Sequence, residues 1–162
     1  IDNNYPQKTS FWTRLQDIFY YIYMNPWTQL LKGKRILLIS SDIDAIKLNV
    51  KKPVYPIDLY PECKFKYINF TFDALNNFSD KLKELKNKVT DMKEGYDIAL
   101  LDAGPYNNFI ASELFKISKD AIVIGQSLRL HFGVYNELDE KKHSDILKLY
   151  KNKHWEKVQI RK

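Results

Sequence analysis

The sequence predicts an α/β fold: a Rossmann-like parallel sheet of about four strands with helices on both faces, preceded by an N-terminal aromatic helix. Three observations carry this. Arg35-Ile-Leu-Leu-Ile-Ser40 and Asp97-Ile-Ala-Leu-Leu-Asp102 are short unbroken apolar runs, the pattern of strands buried on both faces. The segments between such runs place apolar residues three and four apart, which is helical spacing. Glycine or proline stands at most of the junctions, and strands alternating with helices imply parallel pairing.

In chain order, Thr9-Ser10 precedes Phe11, Trp12, Leu15, Ile18, Phe19 and Ile22, an apolar stripe at helical spacing that Asn25-Pro26 ends. This stripe is expected to pack on the sheet domain or on a second copy of the chain. Trp27 to Leu31 leads through Gly33-Lys34 into strand Arg35–Ser40. Asp42 to Val50 reads as a helix capped by Ser41 or Asp42. Pro53, Pro56 and Pro61 mark an extended loop. Phe65 to Phe70 alternates as a strand. Asp73 to Glu94 is helical, with Leu75, Phe78, Leu82, Leu85 and Val89 on one face and Gly95 as its stop. Strand Asp97–Asp102, a helix from about Asn107 to Ser118, strand Ala121–Gly125 and a last helix, Ser144–Tyr150, complete the series. The division is 1–25, N-terminal helix; 26–150, Rossmann-like domain; 151–162, basic C-terminal tail. Right-handed crossovers suggest strand order 2-1-3-4.

The composition is that of a globular chain, with 162 residues, 44% hydrophobic and 28% charged. One cysteine, Cys63, excludes an internal disulfide framework and fits a reducing, cytoplasmic compartment. The chain begins with Ile, as a piece of a longer protein would. The net charge of +6 is concentrated: residues 141–162 hold eight Lys or Arg against two acidic residues. That end suits an anionic surface or protein partner. Nucleic acid is not expected, since no RNP-type motif accompanies the many aromatics.

In sheets of this kind ligands sit beyond the carboxyl ends of the strands. Three turns fall there: Ser40-Ser41-Asp42, Asp102 to Asn107, and Gly125 to Arg129. The middle turn has a single glycine before proline, not a G-x-G-x-x-G fingerprint. Its helix start at Asn107 could meet a phosphate, or Asn107 could serve as a cap. Asp42-Ile43-Asp44 is a D-x-D, but residues two apart on a helix point to different sides, so an N-cap with first-turn charge is the simpler reading. His131, His143 and His154 lack metal-ligand spacing, and His131 is expected to be structural.

Three stretches together resemble a known family. They are Pro26-Trp27-Thr28-Gln29-Leu30-Leu31-Lys32-Gly33-Lys34-Arg35-Ile36-Leu37-Leu38-Ile39, then Tyr96 to Tyr106, then Ala121 to Gly125 with Leu130-His131-Phe132-Gly133-Val134. In order and spacing they are similar to the C-terminal half of GT-D-type glycosyltransferases and related bacterial polysaccharide-synthesis proteins, over residues 26–135. The resemblance implies a pocket for a UDP-sugar built from Ser40, Ser41, Gly104, Pro105, Tyr106, Asn107, Gly125 and Gln126, with Tyr106 stacking on the base. It implies a glycan acceptor, Asp102 or Glu137 as candidate catalytic carboxylate, and Mg²⁺ or Mn²⁺ in the complete enzyme. The family's second glycine in the middle turn is matched by Asn107, and its paired glycines after the fourth strand by Gly125-Gln126. Its metal-binding D-x-E occurs nowhere in this sequence. The expectation is therefore a glycosyltransferase-like domain that binds no metal and is incomplete or inactive alone. The alternatives are a non-catalytic module that binds a partner through the basic end, and a methyltransferase, which the lack of glycines after the first strand disfavours.

Overall fold

The computed structural model describes residues 27–71 and 77–160. The expected N-terminal helix and the expected start of the long helix, residues 72–76 with Leu75, fall outside the described residues.

Strands β1 (Arg35–Ser40), β2 (Lys64–Asn69), β3 (Ile98–Asp102) and β4 (Asp120–Val123) form one sheet in the order β2-β1-β3-β4. Every pairing is parallel. Side chains alternate across it, as strand geometry requires. Ile36, Leu38 and Leu100 enter one core, while Leu37, Ile39, Ala99 and Leu101 enter the other. A strand buried on both faces needs apolar residues at every position, which explains the unbroken runs in β1 and β3.

The helices distribute accordingly. Helix α1 (Ile43–Asn49) links β1 to β2 on the first face, through Ile43 and Ile46. Helices α2 (Phe78–Asp91) and α3 (Asn107–Lys116) cover the second face with Leu85, Val89, Ile110 and Leu114. After β1 the chain winds to one side of the sheet and after β3 to the other, so the winding direction switches between these two central strands.

The first face is finished by less regular chain. It receives a loop over residues 50–63, a 3₁₀ segment Gly125–Phe132, strand β5 (Val134–Tyr135), helices α4 (Glu137–Lys142) and α5 (Ser144–Tyr150), and strand β6 (Glu156–Lys157). β5 and β6 make a separate two-stranded parallel pair. Residues 151–160, expected to begin a basic tail, are thus part of the fold. Trp155 is buried, stands edge-on to Tyr55 and donates its indole N–H to the Val54 carbonyl at 2.9 Å. No helix among the described residues is long and apolar enough to cross a membrane.

Candidate functional site

Backbone and side-chain hydrogen bonds tie the carboxyl ends of the sheet strands together. Phe70 N–H donates to the Ser40 carbonyl, and Ile124 N–H donates to the Leu101 carbonyl, both at 3.0 Å. The end of β1 meets the end of β3 directly, where the Ser40 hydroxyl donates to Asp102 Oδ2 at 3.0 Å. This contact lies at the winding switch, the crevice where open α/β sheets take their ligands. Ser40 is fully buried and Asp102 nearly so.

Around this contact sits a buried cluster of charge. Arg129, from the 3₁₀ segment, grips Asp139 of α4 with two hydrogen bonds, Nε to Oδ2 at 2.7 Å and an Nη to Oδ1 at 3.1 Å. Its other terminal nitrogen reaches Asp42 Oδ2 at 3.2 Å. All three side chains are buried. Asp139 is held in turn by a capping box, in which its carboxylate accepts the Asn136 N–H while the Asn136 side chain accepts from Leu138 and Asp139 N–H. Burial works against the Arg129 charge, but Asp139, Asp42 and Asp102 outweigh it and hold its pKa above the ordinary value. Burial also lifts the Asp102 carboxyl above the usual carboxylate range, against the Ser40 hydrogen bond and the Arg129 charge, which lower it. One guanidinium faces three carboxylates, so this cluster is electronegative.

The remaining expected residues are placed as follows. Gly104 and Gly125 both have positive φ, +53° and +73°, and a Cβ built on either meets nothing within 4 Å. Each therefore borders open space and is held there by backbone conformation. Pro105 and Gln126 are exposed, and Ser41 is half-buried beside Asp42. Tyr106 does not stack on a ligand base. It is 1% exposed and packs face to face on Phe78, ring centroids 4.4 Å apart, and edge-on to Phe70. An aromatic at this point of the turn serves the second core.

Asn107 likewise serves the turn itself, since its Oδ1 accepts the Ala103 N–H at 2.8 Å. Tyr106 N–H is spent on the Ala103 carbonyl, Asn107 N–H on the Gly104 carbonyl, and Pro105 has no N–H. The first residues of this turn thus offer few donors to a phosphate. Glu137 is exposed at the start of α4 and stands apart from the Arg129 hydrogen bonds. Asp42 and Asp44 diverge as the helical spacing requires: Asp42 turns to Arg129, and Asp44 stays exposed near Asn69. Asp42 makes no side-chain cap on α1.

Sequence reasoning missed Arg129 and Asp139. Two signals were present, namely a charged residue inside the apolar run Leu128 to Phe132 and the Asn136-x-x-Asp139 spacing of a capping box. His131, expected to be structural, is buried, and its Nδ1 pairs with the Tyr60 hydroxyl at 2.7 Å. Burial raises the Tyr60 pKa and lowers that of His131 to about 4. The pair is thus a neutral phenol against a neutral imidazole.

The divalent metal implied by the family resemblance does not fit these residues. Among the described residues no group of three His, Cys, Asp or Glu is placed to hold a metal ion. The Asp42 and Asp102 carboxylates are engaged by Arg129 and Ser40. No family model, curated protein or solved structure matches the chain.

Proposed function

We propose that the chain is a glycosyltransferase-like domain that binds a UDP-sugar at the carboxyl ends of β1, β3 and β4 and does not turn it over alone. The observation that supports this reading is the Ser40–Asp102 contact at the winding switch, bordered by Gly104 and Gly125 with open space above each. An electronegative cluster with few free amides suits hydroxyl groups better than phosphates. Asp102 accepts a ribose or sugar hydroxyl, in the manner of the acidic residue that reads a ribose in dinucleotide folds. Its raised pKa also makes it the better placed of the two candidate bases for an acceptor hydroxyl. The diphosphate is left toward solvent, so binding is weak and independent of metal.

Calorimetry with UDP and UDP-sugars tests this. Binding is expected in the millimolar range, unchanged by Mn²⁺ and weakened about tenfold in Asp102→Asn, a loss of roughly 1.4 kcal/mol. No heat with any of these compounds rejects the reading. Metal-dependent sugar transfer by this chain rejects the assignment of a metal-free, inactive site.

A second reading rests on the basic end. Lys141, Lys142, Lys148, Lys151 and Lys153 are exposed on α4, α5 and the turn after them, a folded surface suited to an anionic partner. Retention on anionic vesicles or an acidic protein, with no nucleotide binding, favours it.

A further inference from the structure

A groove of about 710 Å³ lies away from the winding switch, between the loop over residues 50–63 and the first face of β2. That is the size range of small-molecule sites, about 300–1,000 Å³. It is reached from the amino end of β2 and the last turn of α1, since Lys64, Phe65, Asn49 and Val50 border it. Strands β1 and β2 run parallel, so this is the opposite end of the sheet from Ser40 and Asp102.

The loop is a fixed wall. Long connections without regular structure are uncommon in compact domains and are usually functional or disordered. This one is pinned along its length. Val54 carbonyl accepts from Trp155 Nε1 and Asn152 Nδ2, Tyr55 hydroxyl donates to the Leu130 carbonyl at 2.6 Å, and Asp58 carbonyl accepts from Gln29 at 2.6 Å. Pro61 carbonyl accepts the Gly33 N–H at 3.0 Å, and Tyr60 is held by His131. Pro53, Pro56 and Pro61 restrict the backbone between these anchors. The groove is therefore formed before any ligand arrives, which lowers the ordering cost of binding.

Its lining combines rings and cations. Phe65 and Tyr67 lie stacked along β2, centroids 6.5 Å apart, both half-buried. Lys51, Lys52 and Lys64 border the groove, and none has an acidic partner among the described residues. Of its two acidic residues, Glu62 is neutralised by Lys32 at 2.9 Å, leaving Asp58. Three lysines against one unpaired aspartate make the rim cationic.

We propose that this groove binds a planar aromatic ring carrying a phosphate, the ring on Phe65 and Tyr67 and the phosphate among Lys51, Lys52 and Lys64. Aromatic faces supply stacking, and lysine ammonium groups meet a phosphate with charge-assisted hydrogen bonds. The site is separate from the proposed UDP-sugar site and does not depend on it.

Amide NMR titration with phenyl phosphate, phenol and inorganic phosphate is the test. Phenyl phosphate is expected to shift the Lys51, Phe65 and Tyr67 amides at millimolar concentration, leaving Gly104 and Gly125 unmoved. Binding should be about tenfold tighter than that of phenol or inorganic phosphate. The double variant Lys51→Glu/Lys64→Glu should abolish it, and Tyr67→Ala should weaken it several-fold, with the Gly104 and Gly125 signals retained as proof of folding. Absence of shifts in the groove overturns the proposal. So does equal binding of phenol, an unaffected double variant, or shifts centred on Gly104 and Gly125.

Discussion

The two faces of the sheet are closed by different means. On the second face, α2 and α3 lay Leu85, Val89, Ile110 and Leu114 on the strands, and their interior backbone groups are paired within each helix. On the first face, much of the cover is loop, 3₁₀ turn and two-residue strands. Irregular chain leaves buried polar groups that must find partners elsewhere. The first face accordingly holds Arg129 with Asp139 and Asp42, Tyr60 with His131, Tyr55 with Leu130, and Trp155 with Val54. The second face is closed chiefly by apolar contact, with the Tyr96 hydroxyl donating to the Val89 carbonyl at 3.0 Å, whereas the first carries more of its closure on specific polar pairs.

The sharpest way to break this contrast is to remove one partner from each face. Arg129→Ala leaves three buried carboxylates without their cation and is expected to destabilise by about 3–5 kcal/mol, the range for breaking a buried ion pair. Leu114→Ala on α3 removes only apolar contact, and its range of about 2–5 kcal/mol is set by how far the cavity relaxes. Urea unfolding measures both. The first face depends on charge if Arg129→Met, which restores apolar volume but no cation, stays nearly as unstable as Arg129→Ala. Recovery in Arg129→Met to within about 1 kcal/mol of wild type would show that the two faces are held alike.

Next in size is a pH effect confined to the first face. Buried His131 remains neutral down to about pH 4 in the fold, whereas an unfolded histidine takes its proton near pH 6.5. Between these values the unfolded chain binds more protons, so stability rises with pH. The contribution is complete above about pH 6.5 and is lost as pH falls through about 4, a change of about 3 kcal/mol. His131→Asn keeps an acceptor near the Tyr60 hydroxyl and removes the titration. The wild type should therefore lose more stability than His131→Asn between pH 7.5 and 4.5. Equal losses would show that the imidazole does not respond to its burial.

The smallest effect concerns the capping box that fixes Asp139. Asn136→Ala should cost about 0.5–2 kcal/mol. It should also loosen Arg129, seen as a smaller penalty for Arg129→Ala when measured in the Asn136→Ala background. Strict additivity would mean that the cap and the ion pair act separately.

The contrast between faces also explains what the sequence revealed. β1, β3, the parallel order and helix Ser144–Tyr150 were legible because apolar runs and helical spacing are local signals. The nearness of Ser40 to Asp102 followed from two adjacent parallel strands ending at the same edge of the sheet. β5 and β6 are too short to show a period, and their pairing joins residues far apart in the chain. The grip of Arg129 on Asp42 spans 87 positions, which no window of sequence displays. Trp155 looked like part of a solvated tail because lysines surround it, yet its ring completes the first core. Tyr106 was misread for the opposite reason: a turn residue beside an expected pocket can equally face inward, and only the positions of Phe70 and Phe78 decide that.

The hydrogen bond between Ser40 and Asp102 joins residues 62 positions apart. β1, whose apolar run is among the clearest in the sequence, therefore gains its second neighbour only when a long loop closes, an entropic cost met before the contact is made. Parallel sheets with such non-local pairings fold slowly compared with helical bundles. During synthesis, β1 leaves the ribosome well before β3 exists. In that interval its strand edge stays open to other chains, so this route to misassembly closes only once residue 102 has emerged and paired.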